Sequence, residues 1–392
     1  MDYSLKINGK IIKIPQKNHK FAQEIDKNND KFISNQEIQD FLINNDEVKV
    51  YKTKNNKTNI LNGKYIINEF KKSLTDQVRK DFIRDYTKII ESMKELEQKY
   101  PDKVKLEIIG KTPEGRDLVV LKISTSKNEN RKSLMITGLH HAREWATGES
   151  ALNIAEKLLE EYDKNEDIKN LLDNTVLHIF PIVNPDGYEY SLKYYPWWRK
   201  NRRTLDKGIG VDLNRNYYTE KNPELYRPKD DKPDSTWDDY GASDNPHSEV
   251  YRGPNGASEL EIQALQKYAQ ENDINTVIDI HSYGNMILFP WGYTSNPSNW
   301  NQIYKEIGYE MNKETGGKYR VLQSIGLYPT TGSSSDYHHF EGRFSYTLEI
   351  GRSFFPKSKE ELEKLKQEVL NMIKVFMRNL VSGKIPTKTY ST

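Results

Sequence analysis

An α/β fold, with a mixed, mostly parallel central sheet and helices on both faces, is what this 392-residue chain predicts. Two observations carry that expectation. Apolar runs rich in branched residues (LEII, LVVLKI, SLMITG, TVLHIFPIV, TVIDI and YTLEI) have the length and character of strands. Long helical patterns lie between them, ESALNIAEKLLEEY after SLMITG and SELEIQALQKYAQ before TVIDI. Such interleaving builds a sheet that is covered on both sides.

Residues 1–78, rich in Lys and Asn, read as a small separate module. Within it DKNNDKFISNQE follows the calcium-loop pattern, with Asp26, Asn28 and Asp30 at its first, third and fifth positions, Phe32 at the carbonyl-donating seventh and Glu37 at the last. Lys31 departs from the pattern. It stands where glycine makes the sharp turn, and its side chain resists positive φ. The competing reading is a solvated acidic turn between two short helices, KFAQEI and QEIQDFLI.

Residues 79–385 form the larger domain, followed by a tail over 386–392. It opens on a helix through Tyr86 to Tyr100, whose Ile89, Ile90, Met93 and Leu96 make one buried stripe. The polar stretch Tyr218 to Asp239 is a long loop, and long loops in compact domains are often functional. The last helix starts at a capping box, Ser358 to Glu361, and runs to about Leu380.

Composition excludes several chemistries. The chain has no cysteine, so thiol nucleophiles, disulfides and Cys-ligated zinc are ruled out, and any tight metal sits on His, Asp or Glu. Its 59 basic and 57 acidic residues are interspersed, which gives no signature of a nucleic-acid partner. No segment approaches the length of a membrane span, and the polar start lacks the apolar core of a secretory signal. This indicates the cytoplasm by default and leaves secretion open, because a mature form lacking its leader would look the same.

In open α/β sheets, binding sites form beyond the carboxyl ends of strands. Polar groups expected there are His140 and His141 after SLMITGL, Asn184 to Tyr188 after TVLHIFPIV, His281 after TVIDI, and Glu349 in YTLEI. His141 and Glu144, three apart, can face one ion from the first turn of a helix. With His281 they make two imidazoles and a carboxylate, which leaves the fourth position open as in catalytic zinc sites. Asp212 can accept a hydrogen bond from a ligand histidine and fix its tautomer. Arg215 offers a planar fork to a substrate carboxylate.

GLHHAREW, NPDGYEYS, WWRKNRR, GVDLNRNY, DIHSYG and YTLEIG, in this order, resemble the zinc carboxypeptidases of the M14 type, the group containing carboxypeptidase A. The likeness covers about Val78 to Leu380. Carboxypeptidase A is itself a standard example of zinc on two His and one Glu, so the ligand set follows from the resemblance. It implies His141, Glu144 and His281 as ligands of one zinc ion and leaves His140 as a neighbour at the cleft rim. It also implies Glu349 as general base, Arg199 at the oxyanion, and Asn214 and Arg215 on the terminal carboxylate. Tyr328 becomes the mobile tyrosine that closes over that carboxylate, with Arg143 and Tyr283 also in the substrate cleft.

The expected partners are the C-termini of peptides or proteins, bound by a monomer. In the family an acidic residue on the floor of the specificity pocket attracts lysine or arginine. The floor position here is Ser335, and the walls are Leu288, Gly292, Thr330, Ser333 and Thr347. A buried substrate ammonium would lack a counter-ion, which is costly, so neutral C-terminal residues are expected. Ser333 replaces a common second glycine, and Tyr337 stands where tryptophan is usual. The alternatives are a zinc peptidase acting on cell-wall peptides or γ-glutamyl linkages, and a non-catalytic calcium-responsive binding protein.

Overall fold

The computed structural model describes residues 81–229 and 241–386, together with the backbone of three strands: β1 (Ser4–Ile7), β2 (Lys10–Lys13) and β3 (Phe32–Ser34). These three form a small sheet in the order β2-β1-β3. The calcium-loop positions Asp26, Asn28, Asp30 and Glu37 lie outside the described residues, and Phe32 is described only as strand backbone.

The expected runs become β4 (Val104–Lys111), β5 (Asp117–Ile123), β6 (Lys132–Gly138), β7 (Thr175–Phe180), β8 (Thr276–His281) and β11 (Phe344–Glu349). Two short strands, β9 (Met286–Phe289) and β10 (Arg320–Gln323), complete an eight-stranded sheet in the order β10-β9-β11-β8-β6-β7-β5-β4. The central strands β11, β8, β6 and β7 run parallel, while β9 against β11, and β5 against both β7 and β4, run antiparallel.

One face is covered by α1 (Tyr86–Lys99), α2 (Trp145–Glu161), α3 (Glu166–Asp173), α6 (Asn301–Lys313) and α8 (Lys359–Val381), which pack around Trp145, Leu152, Tyr304 and Phe376. The short α4 (Pro185–Lys193) adds Tyr188 to this core. The opposite face carries α5 (Leu260–Glu271) and α7 (Ser334–Phe340), with Val120, Met135, Val277 and Tyr268 between. Helix α8 is capped as its sequence suggests: Ser358 Oγ accepts from the Glu361 N–H at 3.2 Å, while the Glu361 carboxylate reaches the Lys357 N–H at 2.8 Å. Among the described residues no helix is long and apolar enough to cross a membrane.

Candidate metal centre and its cleft

Strands β6, β8 and β11 are neighbours, so their carboxyl ends meet at one place. The register sets Glu349 opposite His281 and Gly138 opposite Ile280. Period-two alternation then assigns the faces. Ile278, Ile280, Tyr346 and Leu348 enter the larger core, while Asp279, His281, Thr347 and Glu349 point to the other side.

Past β6, Leu139 takes a left-handed φ of +55°, and its N–H is held by Thr147 Oγ1 at 2.9 Å. Such a conformation in a bulky residue costs on the order of 1 kcal/mol, and both histidines follow directly after it. His141 lines the cleft, whereas His140 is fully buried. Glu144 is the N-cap residue of α2, one position before the helix rather than inside its first turn, and its carboxylate makes no capping bond. Both oxygens turn toward the site instead, where Oε2 also accepts from the Ser282 N–H at 3.2 Å.

His141 Nδ1 lies 2.7 Å from Glu144 Oε1, and His281 Nδ1 lies 3.0 Å from Glu144 Oε2 and 3.1 Å from His141 Nδ1. The opposite nitrogens are both engaged by buried carboxylates, His141 Nε2 with Asp212 Oδ1 at 3.2 Å and His281 Nε2 with Asp279 Oδ2 at 2.8 Å. An imidazole that donates Nε2–H keeps its lone pair on Nδ1, so both lone pairs and a carboxylate converge on one point. The donors all lie within 4.8 Å of one another. Two imidazoles and one carboxylate fit a zinc ion with an open position.

The electrostatics agree with that donor set. Burial raises the Asp212 carboxyl, but the charges of Arg199, His141 and Arg215 outweigh it and hold the group well below its ordinary value. Burial lowers the His281 imidazole, yet Asp279 and Glu144 lift it well above its ordinary value. Metal uptake must therefore displace a proton there. Burial pushes the Glu349 carboxyl up to about 8, with Glu144 adding to the rise and His281 and Arg199 opposing it.

The cleft encloses about 340 Å³ and brings His141, Glu144, Arg199, Asn214, Arg215 and Glu349 onto one surface. Arg143, Tyr283, Tyr328, Leu288, Thr330, Ser333, Ser335 and Thr347 line it as well. Arg199 is gripped by Asp212 Oδ2 through Nε at 3.0 Å and Nη2 at 2.8 Å. Arg215 spends Nε on the Gly241 carbonyl and Nη1 on the Asn214 carbonyl, and among the described residues nothing takes Nη2. Asn214 Oδ1 accepts from the Ser334 N–H at 2.8 Å, and its Nδ2 lies 3.3 Å from His281 Nε2.

Three expectations need correction. Asn184 to Tyr188 do not reach the cleft. Asn184 caps α4, and its amide donates to the carbonyls of His140 and Lys200, holding the loops behind the site, while Tyr188 donates to the Arg84 carbonyl. His140 sits beneath the centre instead of at its rim. Gly292 stands behind the pocket wall, its N–H bound to the Asp336 carboxylate. Of the long loop, residues 230–240 lie outside the described residues, and its base packs on the segment after Tyr328, with the Gly332 N–H donating to the Leu225 carbonyl at 2.6 Å.

Other cleft residues went unread in the sequence. Glu249 takes Arg143 Nη1 at 3.1 Å, Phe354 lies under the same guanidinium at 4.5 Å, and Met286 and Leu327 extend the apolar wall. All stand on loops or a four-residue strand, where no periodicity marks them.

A two-His, one-carboxylate centre at the carboxyl end of a parallel sheet, with arginines lining the same cleft, defines a metallohydrolase-type site. Comparison with known proteins carries this to a family. Residues 89–372 match the family model described as Peptidase_M14, zinc carboxypeptidase, and the chain belongs to that family. Carboxypeptidase O of Bos taurus is 33% identical over 272 residues, 67% of this chain and 68% of that protein. Carboxypeptidase A1 of Mus musculus is 32% identical over 271 residues, and there the match spans 61% of the relative's length. Among solved structures, the thrombin activatable fibrinolysis inhibitor superposes with a TM-score of 0.68 at 27% identity, covering 77% of this chain and 78% of that one. The carboxypeptidase A of Helicoverpa armigera gives 0.66 at 25%, covering 83% and 82%.

Proposed function

We propose that the protein is a zinc metallocarboxypeptidase that removes single C-terminal residues from peptides or proteins, with a preference for neutral side chains. The observation that carries this reading is the shared cleft: Arg215, whose Nη2 is uncommitted among the described residues, lines the same small pocket as Glu349 and the convergent donors of His141 and Glu144. When bound on His141, Glu144 and His281, zinc acidifies water and polarises a carbonyl.

The chain supplies the rest. Arg215 and Asn214 bind the terminal carboxylate, and Tyr328 closes over it. Arg199, aligned by Asp212, donates to the oxygen on which charge develops. Glu349 in its ionised form takes a proton from the attacking water, and the burial that raises its carboxyl favours holding that proton until it passes to the leaving amine. Tyr283 and Arg143 lie further out and contact the preceding residues.

The neutral preference rests on the pocket's inner wall. Ser335, Ser333, Thr330, Thr347 and Leu288 line it without a charge, and the nearby Asp336 spends its carboxylate on the N–H groups of Gly292 and Tyr293. The test is Glu349→Gln with zinc analysis: bound zinc should be unchanged while turnover falls by about 10²-fold or more. Full activity in that variant sinks the reading. Arginine-terminated peptides cut with higher kcat/KM than phenylalanine- or leucine-terminated ones would sink the specificity alone, and preferential release from γ-glutamyl or cell-wall peptides would move the substrate class.

Residues 1–78 are proposed as a separate module, removable or permanent, and calcium binding at Asp26, Asn28, Asp30, Phe32 and Glu37 is supported by the loop pattern alone. Limited proteolysis near residues 70–80, with activity measured with and without calcium, separates a covering segment from an accessory domain.

A further inference from the structure

The two ligand histidines are supported in parallel ways. His141 leans on Asp212, whose other oxygen is held by Arg199. His281 leans on Asp279 Oδ2, and among the described residues no arginine takes the other oxygen. Thr137 Oγ1 donates to Asp279 Oδ1 at 2.7 Å, and His140 Nδ1 approaches the same atom at 2.9 Å in a bent contact. The His140 ring also stacks on the His281 ring, with centroids 5.5 Å apart and planes 23° apart. On its far side His140 Nε2 meets the Tyr217 hydroxyl at 2.8 Å. His140, Asp279, Tyr217 and His281 are all at most 1% exposed.

Burial raises the Asp279 carboxyl, but His140 and His281 outweigh it and hold the group well below its ordinary value, so it is the acceptor here. The His140 tautomer with N–H on Nδ1 faces it across the 2.9 Å contact and accepts at Nε2 from the Tyr217 hydroxyl. His281 then donates Nε2–H to Asp279 and turns its Nδ1 lone pair toward Glu144 and His141. Tyr217 follows Asn214 and Arg215 by two or three residues, and its own N–H donates to the Gly332 carbonyl at 3.0 Å. The series thus ties the metal ligand on β8 to the segment that carries the carboxylate-binding residues.

We propose that His140 is a positioning residue for the metal centre: bridging Tyr217 and Asp279, it fixes the carboxylate that orients His281. This rests on the reading of His281 as a ligand. A leucine at this position would fill the space against His281 but remove the N–H that faces Asp279 Oδ1. An asparagine places an amide N–H close to where Nδ1 now stands.

The test measures zinc affinity of the full-length protein by competition with a chromophoric chelator, together with the visible spectrum of the cobalt-substituted form. His140→Leu should weaken zinc binding by about 10- to 100-fold and shift the cobalt spectrum. His140→Asn should restore most of the affinity, and Tyr217→Phe should weaken it in the same direction by less. Zinc affinity within twofold of the unchanged protein in a folded His140→Leu overturns the proposal. If that variant does not fold, unchanged affinity in both His140→Asn and Tyr217→Phe supports only a filler role and overturns it equally. His281→Ala is the control for the underlying reading: if it keeps stoichiometric zinc, the ligand assignment itself fails. Loss of zinc in His281→Ala beside an unaffected His140→Leu rejects the positioning role alone.

Discussion

Replacing Asp212 with asparagine tests the centre most sharply, because one fully buried carboxylate organises three parts of it. Oδ1 accepts from the Asn214 N–H at 2.9 Å and lies 3.2 Å from His141 Nε2, while Oδ2 holds Arg199 through two bonds of 3.0 and 2.8 Å. In Asp212→Asn one oxygen can still serve His141 and Asn214, but the amide then turns its NH₂ toward a guanidinium, donor against donor. Breaking a buried pair by removing one partner costs about 3–5 kcal/mol. Loss of a carboxylate behind a ligand histidine costs about 10- to 100-fold in metal affinity. A displaced Arg199 adds about 10²- to 10³-fold in kcat, the usual loss when one oxyanion donor is removed. Chelator competition, thermal melting and steady-state release of a C-terminal residue measure the three effects separately. A folded variant with zinc affinity within threefold and kcat within tenfold of the parent refutes the reasoning, since Asp212 would then be only a loop cap.

The remaining predictions concern the pocket and the core. Gly332, at φ +63°, would place a Cβ 2.1 Å from the Arg215 carbonyl oxygen. Gly332→Ala should therefore destabilise by more than about 1 kcal/mol and raise KM by moving Arg215, and a melt and KM equal to the parent's would contradict this. Ser335→Asp adds a counter-ion at the pocket floor and should shift the ratio of kcat/KM for arginine- over phenylalanine-terminated peptides by on the order of tenfold or more; an unchanged ratio removes Ser335 from the floor. Glu261, buried with Oε2 unpartnered among the described residues, has its carboxyl raised from 4.5 to about 8 by burial and the neighbouring Glu259 charge. A raised acid gives stability that is whole below pH 4.5 and is lost as pH climbs to about 8. Glu261→Gln should therefore match the parent in melts near pH 4.5 and gain on it steadily toward pH 8, and parallel pH profiles would refute it.

Much of this site was legible as strings. The ligand pair sits within four residues, His281 and Glu349 end strands, and strand ends converge in an α/β sheet whatever the loops do. Reading failed where spacing carries no signal. Four-residue strands such as MILF and RVLQ are too short for a period to register. Asn184 has the look of a strand-end site residue, yet the main-chain groups of Gly187, His140 and Lys200 compete for its amide and win, because buried backbone polar groups must be satisfied.

By itself the sequence determined the fold class, the metal chemistry open to a cysteine-free chain, and the order of the motifs, because periodicity and residue type are local properties. The tertiary structure alone decided what His140 and His141 each do. They are adjacent in the chain, but one imidazole lines the cleft beside Glu144 and the other lies fully buried beneath it between Tyr217 and Asp279. Which carboxylate backs which histidine, and that Glu249 holds Arg143 at the cleft, likewise follows from distant segments packing together. No window of the chain records those distances.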